Sequence, residues 1–286
     1  MWEETISLSG PYDFDLALDR LRLDPLHAVD LDHKRIKVPI QFGSEQLVTE
    51  VVGVGSLLEP SFIIKGNDRK EDSIKLLFEI FGWNTKLIKI NEHFQHTGLK
   101  SLFQQHYGTP FVLEFDPFAC LMKCIIHQQL NLAFAHTLTE RFVKAFGNEI
   151  DGVWFYPTPE RVASLTVEQL RELQFIGRKA EYVIGIAEIV ASGRLRFDKL
   201  NQMSDEEVAT ELTKIRGIGP WTAQNFLMFG LGRPNLFPVA DIGLQNAMKQ
   251  YYQLETKPTV EEMVERLKPW EPYLSYASLY LWRSIE

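Results

Sequence analysis

Cysteine is scarce in this chain: two residues in 286, Cys120 and Cys124. They stand four apart, so a helix would carry them on one face. No other cysteine exists to complete a thiolate site, and His127 alone is thin support for one, which disfavours a metal pair. The expected setting is cytoplasmic, with both thiols reduced and buried. There is no cationic leader with an apolar stretch and no long uncharged apolar run. Neither secretion nor a membrane span is expected. Positive charge is also short, with 30 Lys and Arg against 38 Asp and Glu, a net charge of −8. Nucleic-acid binders are usually basic somewhere, so this balance counts weakly against one; local charge decides. Repeats and low-complexity segments are absent. What remains is ordinary: 45% hydrophobic and 24% charged residues, enough for one large domain or two modest ones.

Residues 1–110 alternate β-like and helical pieces. Strands are expected at Thr5–Leu8, Lys34–Phe42, Gln46–Val54 and Ser61–Lys65, from β-branched content bounded by Gly, Pro and Asp. Asp13–Leu21 and Asp72–Phe81 carry helical stripes, Phe14, Leu18 and Leu21 in the first. Residues 111–286 read as about eight to ten helices. Asp116 or Pro117 opens a helix to about Ile126, and Leu130–Phe146 follows, stopped by Gly147. A short helix starts at Thr158–Arg161. Thr166–Leu173, Arg178–Ser192, Ser204–Ile215, Pro220–Phe229, Ile242–Tyr252, Thr259–Leu267 and Tyr273–Ser284 complete the set. The fold class is therefore mainly α, with an α+β N-terminal domain.

The run Leu212–Phe226 is the most informative stretch. It reads as helix, tight Gly217-Ile-Gly219 turn, helix, with Pro220 at a first helical position where its missing donor costs nothing. Glycine amides at a helix N-terminus make an anion site. From Leu212 to Arg233 the charged side chains are Lys214, Arg216 and Arg233, all positive. A plain helix–turn–helix corner explains the spacing equally well. Trp221 is either core or the wall of a pocket that stacks on a flipped base. Asp241 lies in the otherwise apolar stretch Phe237–Leu244. It suits an N-cap for the helix after it, although Gln245 falls one residue late for a capping box. A cap and a catalyst are compatible, because a helix N-terminus favours the anion. In a dry cleft such a carboxylate stabilises a sugar cation.

Further motifs surround these two. Upstream stands Ile125-Ile126-His127-Gln128-Gln129-Leu130-Asn131. Downstream stands Trp270-x-Pro272-x-x-Ser275-x-Ala277-x-x-Tyr280-Leu281-Trp282. Tyr156-Pro157-Thr158-Pro159 and Phe175-Ile-Gly-Arg-Lys-Ala180 lie between. From about Phe115 to Trp282, this ordered set resembles the helix-hairpin-helix DNA glycosylase superfamily, and within it the alkylation-repair branch, DNA-3-methyladenine glycosylase II. The α+β portion is compatible with that branch's additional domain.

The resemblance implies a monofunctional enzyme of base-excision repair that flips alkylated purines out of double-stranded DNA and hydrolyses them. Asp241 would be its catalytic aspartate. Lys214, Arg216, Gly217, Gly219 and Thr222 would meet phosphate. Trp221, Tyr273, Asn225 and His127 would shape the base pocket, with Tyr273 where relatives carry a tryptophan. Gln129 takes the wedge position, with Leu130 close to the same gap; capping and solvation are the plainer use of Gln128 and Gln129. His127 and Asn131 replace the family's glycine and serine there. No organic or redox cofactor is required. A monovalent cation is expected on the carbonyls of Thr213, Ile215 and Ile218, and a monomer is favoured. Lyase relatives carry a lysine where this chain has Pro220, so strand cleavage is not expected. Without four C-terminal cysteines, no iron–sulfur cluster is expected either. Two rival readings stay open: a non-catalytic damage sensor, and a glycosylase for another lesion such as 8-oxoguanine or uracil.

Overall fold

Apolar residues alternate along the first strands, and the computed structural model closes them into a five-stranded antiparallel sheet; the structure describes residues 1–285. Its strands are β1 (Trp2–Ser7), β2 (Ala28–Asp30), β3 (Arg35–Phe42), β4 (Glu45–Gly53) and β5 (Ser61–Gly66), in the spatial order β1-β5-β4-β3-β2. Ile36, Val38 and Ile40 of β3 are fully buried, the period-2 signature of one covered face. Pro39 pairs with Val48 on β4, while β2 reaches only to Lys37 on the other side. The proline therefore sits where no neighbour needs its missing N–H. Helix α1 (Phe14–Leu21) follows β1 and is capped by Asp13, whose carboxylate accepts from the Leu16 amide at 2.9 Å. After the sheet come α2 (Lys70–Ile80), α3 (Leu87–Phe94) and α4 (Lys100–Gln105).

The helical portion opens with α5 (Pro117–His127), capped by Asp116 with Pro117 in its first turn, and α6 (Leu132–Phe146). A small hairpin follows, β6 (Asn148–Ile150) and β7 (Val153–Phe155). Then come α7 (Pro159–Ala163), α8 (Val167–Glu172), α9 (Gly177–Ala191), α10 (Phe197–Leu200), α11 (Asp205–Thr213) and α12 (Pro220–Phe229). The chain closes with α13 (Ile242–Tyr251), α14 (Val260–Leu267) and α15 (Leu274–Arg283). Strand β2, the β6–β7 hairpin and helices α3, α4 and α10 were not anticipated from sequence; most are too short to show a period. One boundary differs for an informative reason. Helix α6 starts at Leu132 instead of Leu130, because Gln129 adopts φ 57° and Asn131 caps the helix, its side chain accepting from the Phe134 amide.

Two hydrophobic cores result, and they do not divide at residue 110. The first joins the sheet and α1–α4 to Met228, Leu244, Met248, Trp270 and α15. The second gathers α5, α6, α9, α11 and α12. Phe229 and Leu236 pack against both. A buried ion cluster also ties the two halves: Lys123 of α5 reaches Asp24 at 2.8 Å and Glu114 at 2.6 Å. Burial pushes the Asp24 carboxyl up, but the Lys123 and His27 charges hold it well below the usual carboxylate range. Cys120 and Cys124 on α5 are free, the first buried and the second half-buried. No helix of the described residues is long and apolar enough to cross a membrane.

Candidate active site

The hairpin forms where helix α11 ends. The Ile215 amide closes on the Leu212 carbonyl and the Ile218 amide on the Ile215 carbonyl, both at 3.0 Å. Gly217 takes φ 100°, and a Cβ there would lie 2.5 Å from the Tyr182 ring. Glycine is thus required twice over, by conformation and by space. Gly219 is the N-cap of α12 and faces open space. That helix has no side-chain cap. Its amides begin to close only at Ala223, which donates to the Gly219 carbonyl at 3.0 Å. The first-turn amides of Trp221 and Thr222 are therefore the donors left for an anion.

The cations around this cradle are less free than their sequence window suggests. Lys214 pairs with Glu211 at 2.5 Å and Arg216 with Glu181 at 2.9 Å. Arg233 turns away, donating to the carbonyls of Leu200, Asn201 and Met203 and pairing with Asp205. The carboxylates lie outside the Leu212–Arg233 window, so counting charge within it overstated the local positive field. Thr222 turns its side chain inward. Its side chain is 1% exposed and its hydroxyl accepts from Gln128 Nε2 at 2.8 Å. Only its backbone amide is left to face a phosphate. The Ile218 amide occupies one lone pair of the Ile215 carbonyl. A second lone pair remains, so the neutral oxygens of Thr213, Ile215 and Ile218 are a compatible donor type for a monovalent ion. No cluster of three or more His, Cys, Asp or Glu suited to a metal occurs among the described residues.

Asp241 caps α13: its Oδ1 accepts from the Leu244 amide at 2.9 Å. Two indoles then converge on the same carboxylate. Trp282 Nε1 donates to Oδ1 at 3.0 Å, and Trp221 Nε1 donates to Oδ2 at 2.9 Å. Gly243 makes room for this: a Cβ there would stand 2.9 Å from Asp241 Oδ1 and 3.1 Å from Trp282 Nε1. Gln245, one residue late for a capping box, instead donates to the Val239 carbonyl at 3.1 Å. The result is a half-buried carboxylate with three N–H donors, a preorganised negative group aimed from a helix N-terminus.

Trp221 and Asp241 are thus in contact, through the indole N–H. Trp282 ends the Trp270–Trp282 motif, where nothing in the sequence marks it as a partner of Asp241, and Gly243 carries no signal. Their link to Asp241 spans 41 residues for Trp282, which no local pattern encodes. Asn225 is 7% exposed, and its Nδ2 bonds the Trp221 carbonyl one turn back at 2.8 Å. It supports the helix carrying Trp221. His127 meets Thr139 of α6 at 3.1 Å and the His136 ring at 5.4 Å. Burial, with the Lys123 and His136 charges, pulls it down to about 3, so it is neutral at physiological pH. Its polar contacts thus lie toward α6. Tyr273 precedes α15, packs edge-on to His93, and lines a cavity of about 320 Å³ with Phe111, Leu113 and Arg233. Asp241 and Trp221 do not line that cavity. Gln129 is exposed at the tip of the α5–α6 turn, whereas Leu130 is half-buried against the second core. Of the two wedge candidates, Gln129 is the one that projects.

A model of the HhH-GPD superfamily of base excision DNA repair proteins matches residues 122–272. YfjP of Bacillus subtilis (strain 168), provisionally named a DNA-3-methyladenine glycosylase, is 53% identical over 287 residues, covering 100% of both chains. A second protein of that organism, named DNA-3-methyladenine glycosylase, is 38% identical over 222 residues, 76% of this chain and 73% of its own. The solved 3-methyladenine DNA glycosylase from Archaeoglobus fulgidus superposes with a TM-score of 0.87, covering 99% of this chain and 97% of that one. At 24% identity that likeness establishes the shared fold.

Proposed function

The chain belongs to the HhH-GPD superfamily of base excision DNA repair proteins, and on that premise we propose that it is a monofunctional DNA glycosylase of the 3-methyladenine glycosylase II type. It removes alkylated purines from double-stranded DNA and leaves an abasic site. The observation that carries this reading is the Asp241 carboxylate, capped at a helix N-terminus and gripped by two indole N–H groups, one of them from Trp221 in the open first turn of α12. The names of the two Bacillus relatives support the substrate class.

The chemistry needs one carboxylate. The target purine swings out of the stack into the cleft. Alkylation at N3 or N7 has given it a positive charge. When the C1′–N bond breaks, its electron pair goes to the base, which departs neutral. Ordinary glycosidases need a second carboxyl group to protonate the leaving group; a cationic base does not. The sugar is left as an oxocarbenium ion, which Asp241 stabilises. Water adds at C1′ and gives up a proton.

The turn offers no amine for a Schiff base. Pro220 has none, and Lys214 precedes the turn as the C-cap of α11, paired with Glu211. Hydrolysis without strand cleavage follows. We also assign the protein to the cytoplasm as a monomer, with a monovalent cation held by the Thr213, Ile215 and Ile218 carbonyls bracing the hairpin. The test is to incubate methylated duplex DNA with the protein, identify released bases by mass spectrometry and run the DNA on a denaturing gel. Free 3-methyladenine or 7-methylguanine with intact strands is expected. No released base overturns the glycosylase, and cleaved strands with borohydride-trapped adducts overturn the monofunctional assignment.

A further inference from the structure

The α5–α6 turn holds its tip under backbone strain. Gln128 has φ −50° and ψ 128°, Gln129 has φ 57°, and the Leu130 amide donates to the His127 carbonyl at 3.3 Å. This is a type II turn whose third residue would ordinarily be glycine. A glutamine there carries left-handed strain that a glycine would not. Such a conformation persists only where surrounding groups over-determine it.

Two side chains do so. Lys179, in the first turn of α9 and 6% exposed, sends its ammonium to the carbonyls of Ile126 and Gln128, at 2.5 and 2.9 Å. Burial pulls that amine down to about 8. A buried ammonium is expensive to keep, and here it replaces water on two carbonyls that the end of α5 leaves exposed. Gln128 makes the second tie. Its Nε2 donates to the Gly217 carbonyl at 2.9 Å and to the Thr222 hydroxyl at 2.8 Å. The strained turn is thereby bolted to α9 on one side and to the phosphate hairpin on the other.

We propose that Lys179 and Gln128 are positioning residues that hold Gln129 in fixed register with the hairpin, so that gripping the backbone presents the wedge to the gap opened by the flipped purine. The proposal rests on the glycosylase reading above. Neither residue touches the base or the sugar; both act through the turn. Their loss therefore penalises flipping and leaves chemistry on an already unpaired base largely intact.

The test compares single-turnover base release from two duplexes. In one the methylated purine is paired; in the other it sits in a one-nucleotide bulge. If the wild type releases no base from either duplex, the glycosylase reading is overturned and this proposal with it. With an active wild type, Lys179→Met is expected to slow release from the paired duplex by about tenfold or more, equivalent to about 1.4 kcal/mol. Release from the bulge should slow by less than about threefold, because unpairing is no longer required. Lys179→Arg, which keeps the donors, should recover most of the paired-duplex rate. Equal slowing on both duplexes, or none on either, overturns the positioning role alone. Should Lys179→Met fail to fold, Gln128→Met carries the same paired-to-bulged comparison with the same expected split.

Discussion

Replacing Asp241 with asparagine separates charge from shape. The side chain keeps its size, and its oxygen can still accept from the Leu244 amide and the Trp282 indole. Its amide nitrogen then faces Trp221 Nε1, a donor now 2.9 Å from the atom it bonds. One indole N–H loses its partner, costing about 1–3 kcal/mol. For a chain of this size that lowers Tm by roughly 2–10 °C. The catalytic loss is larger and has a different origin. A carboxylate about 4 Å from a unit positive charge, at an effective dielectric near 20, contributes about 4 kcal/mol. Removing it slows base release by about a thousandfold. DNA affinity should change by less than about threefold, since the anion cradle is built from backbone amides of another segment. Single-turnover release of methylated purines measures the rate, and anisotropy titration of the same duplex measures binding. Asp241→Asn that keeps a tenth of the wild-type rate refutes the assignment. A collapse of binding in step with the rate refutes the separation of grip from chemistry.

Gly243→Ala should gain helix propensity by about 1 kcal/mol yet lose function, because the new methyl crowds Asp241 Oδ1 and Trp282 Nε1; a higher Tm with an unchanged rate contradicts this. His127, held down to about 3 by burial, stays neutral in the native state while the unfolded chain protonates below its ordinary pKa. The unfolded state then binds more protons, so stability falls as pH drops from about 6.5 towards 3, by up to about 1.4 kcal/mol per pH unit. His127→Leu should flatten that part of a denaturation-versus-pH curve, and an unaltered slope argues against it. Binding to undamaged duplex should show a shallow salt dependence: Lys214 and Arg216 are the exposed cations that flank the hairpin in sequence, and a slope of log K on log salt of about −0.9 per phosphate neutralised gives roughly −2. A slope near −6 means that a basic surface elsewhere carries the grip.

What sequence revealed and what it hid divide along the range of the interactions. The Gly217-Ile-Gly219 turn, Pro220 at the start of α12 and the Asp241 cap are set by residues within four positions of each other. All three could be read from spacing. The sheet was legible from Ile36, Val38 and Ile40, but β2 has three residues and no period to detect. Trp282 on Asp241 and Gln128 on Gly217 cross 41 and 89 positions, so they depend on how α15 and α5 pack. Pairing of Arg216 with Glu181 crosses 35 positions and was hidden for the same reason, whereas Lys214 with Glu211 is a local i,i+3 pair that lies just outside a window starting at Leu212. The division at residue 110 followed the change from strand-like to helical pattern, which does occur near there. The cores do not divide there, because the chain returns after Met228 to cover the sheet.

A cap alone does not account for Asp241. Capping a helix takes one acceptor and one amide, and Oδ1 with the Leu244 N–H meets that need. Two further donors on the same half-buried carboxylate add nothing to the cap. They come from α12, rooted largely in the second core, and α15, in the first. Each must hold an indole edge-on to the carboxylate, and Gly243 must stay free of a side chain for one of them to reach it. Local helix chemistry supplies no reason for that convergence; fixing an anion's position does. A carboxylate held by parts of two cores does not reorganise when positive charge develops beside it, and this is the condition under which one charge lowers a barrier most. On the proposed glycosylase reading, a carboxylate whose two oxygens are already fixed by N–H donors is suited to stabilising a cation, which favours departure of the base as the step it assists.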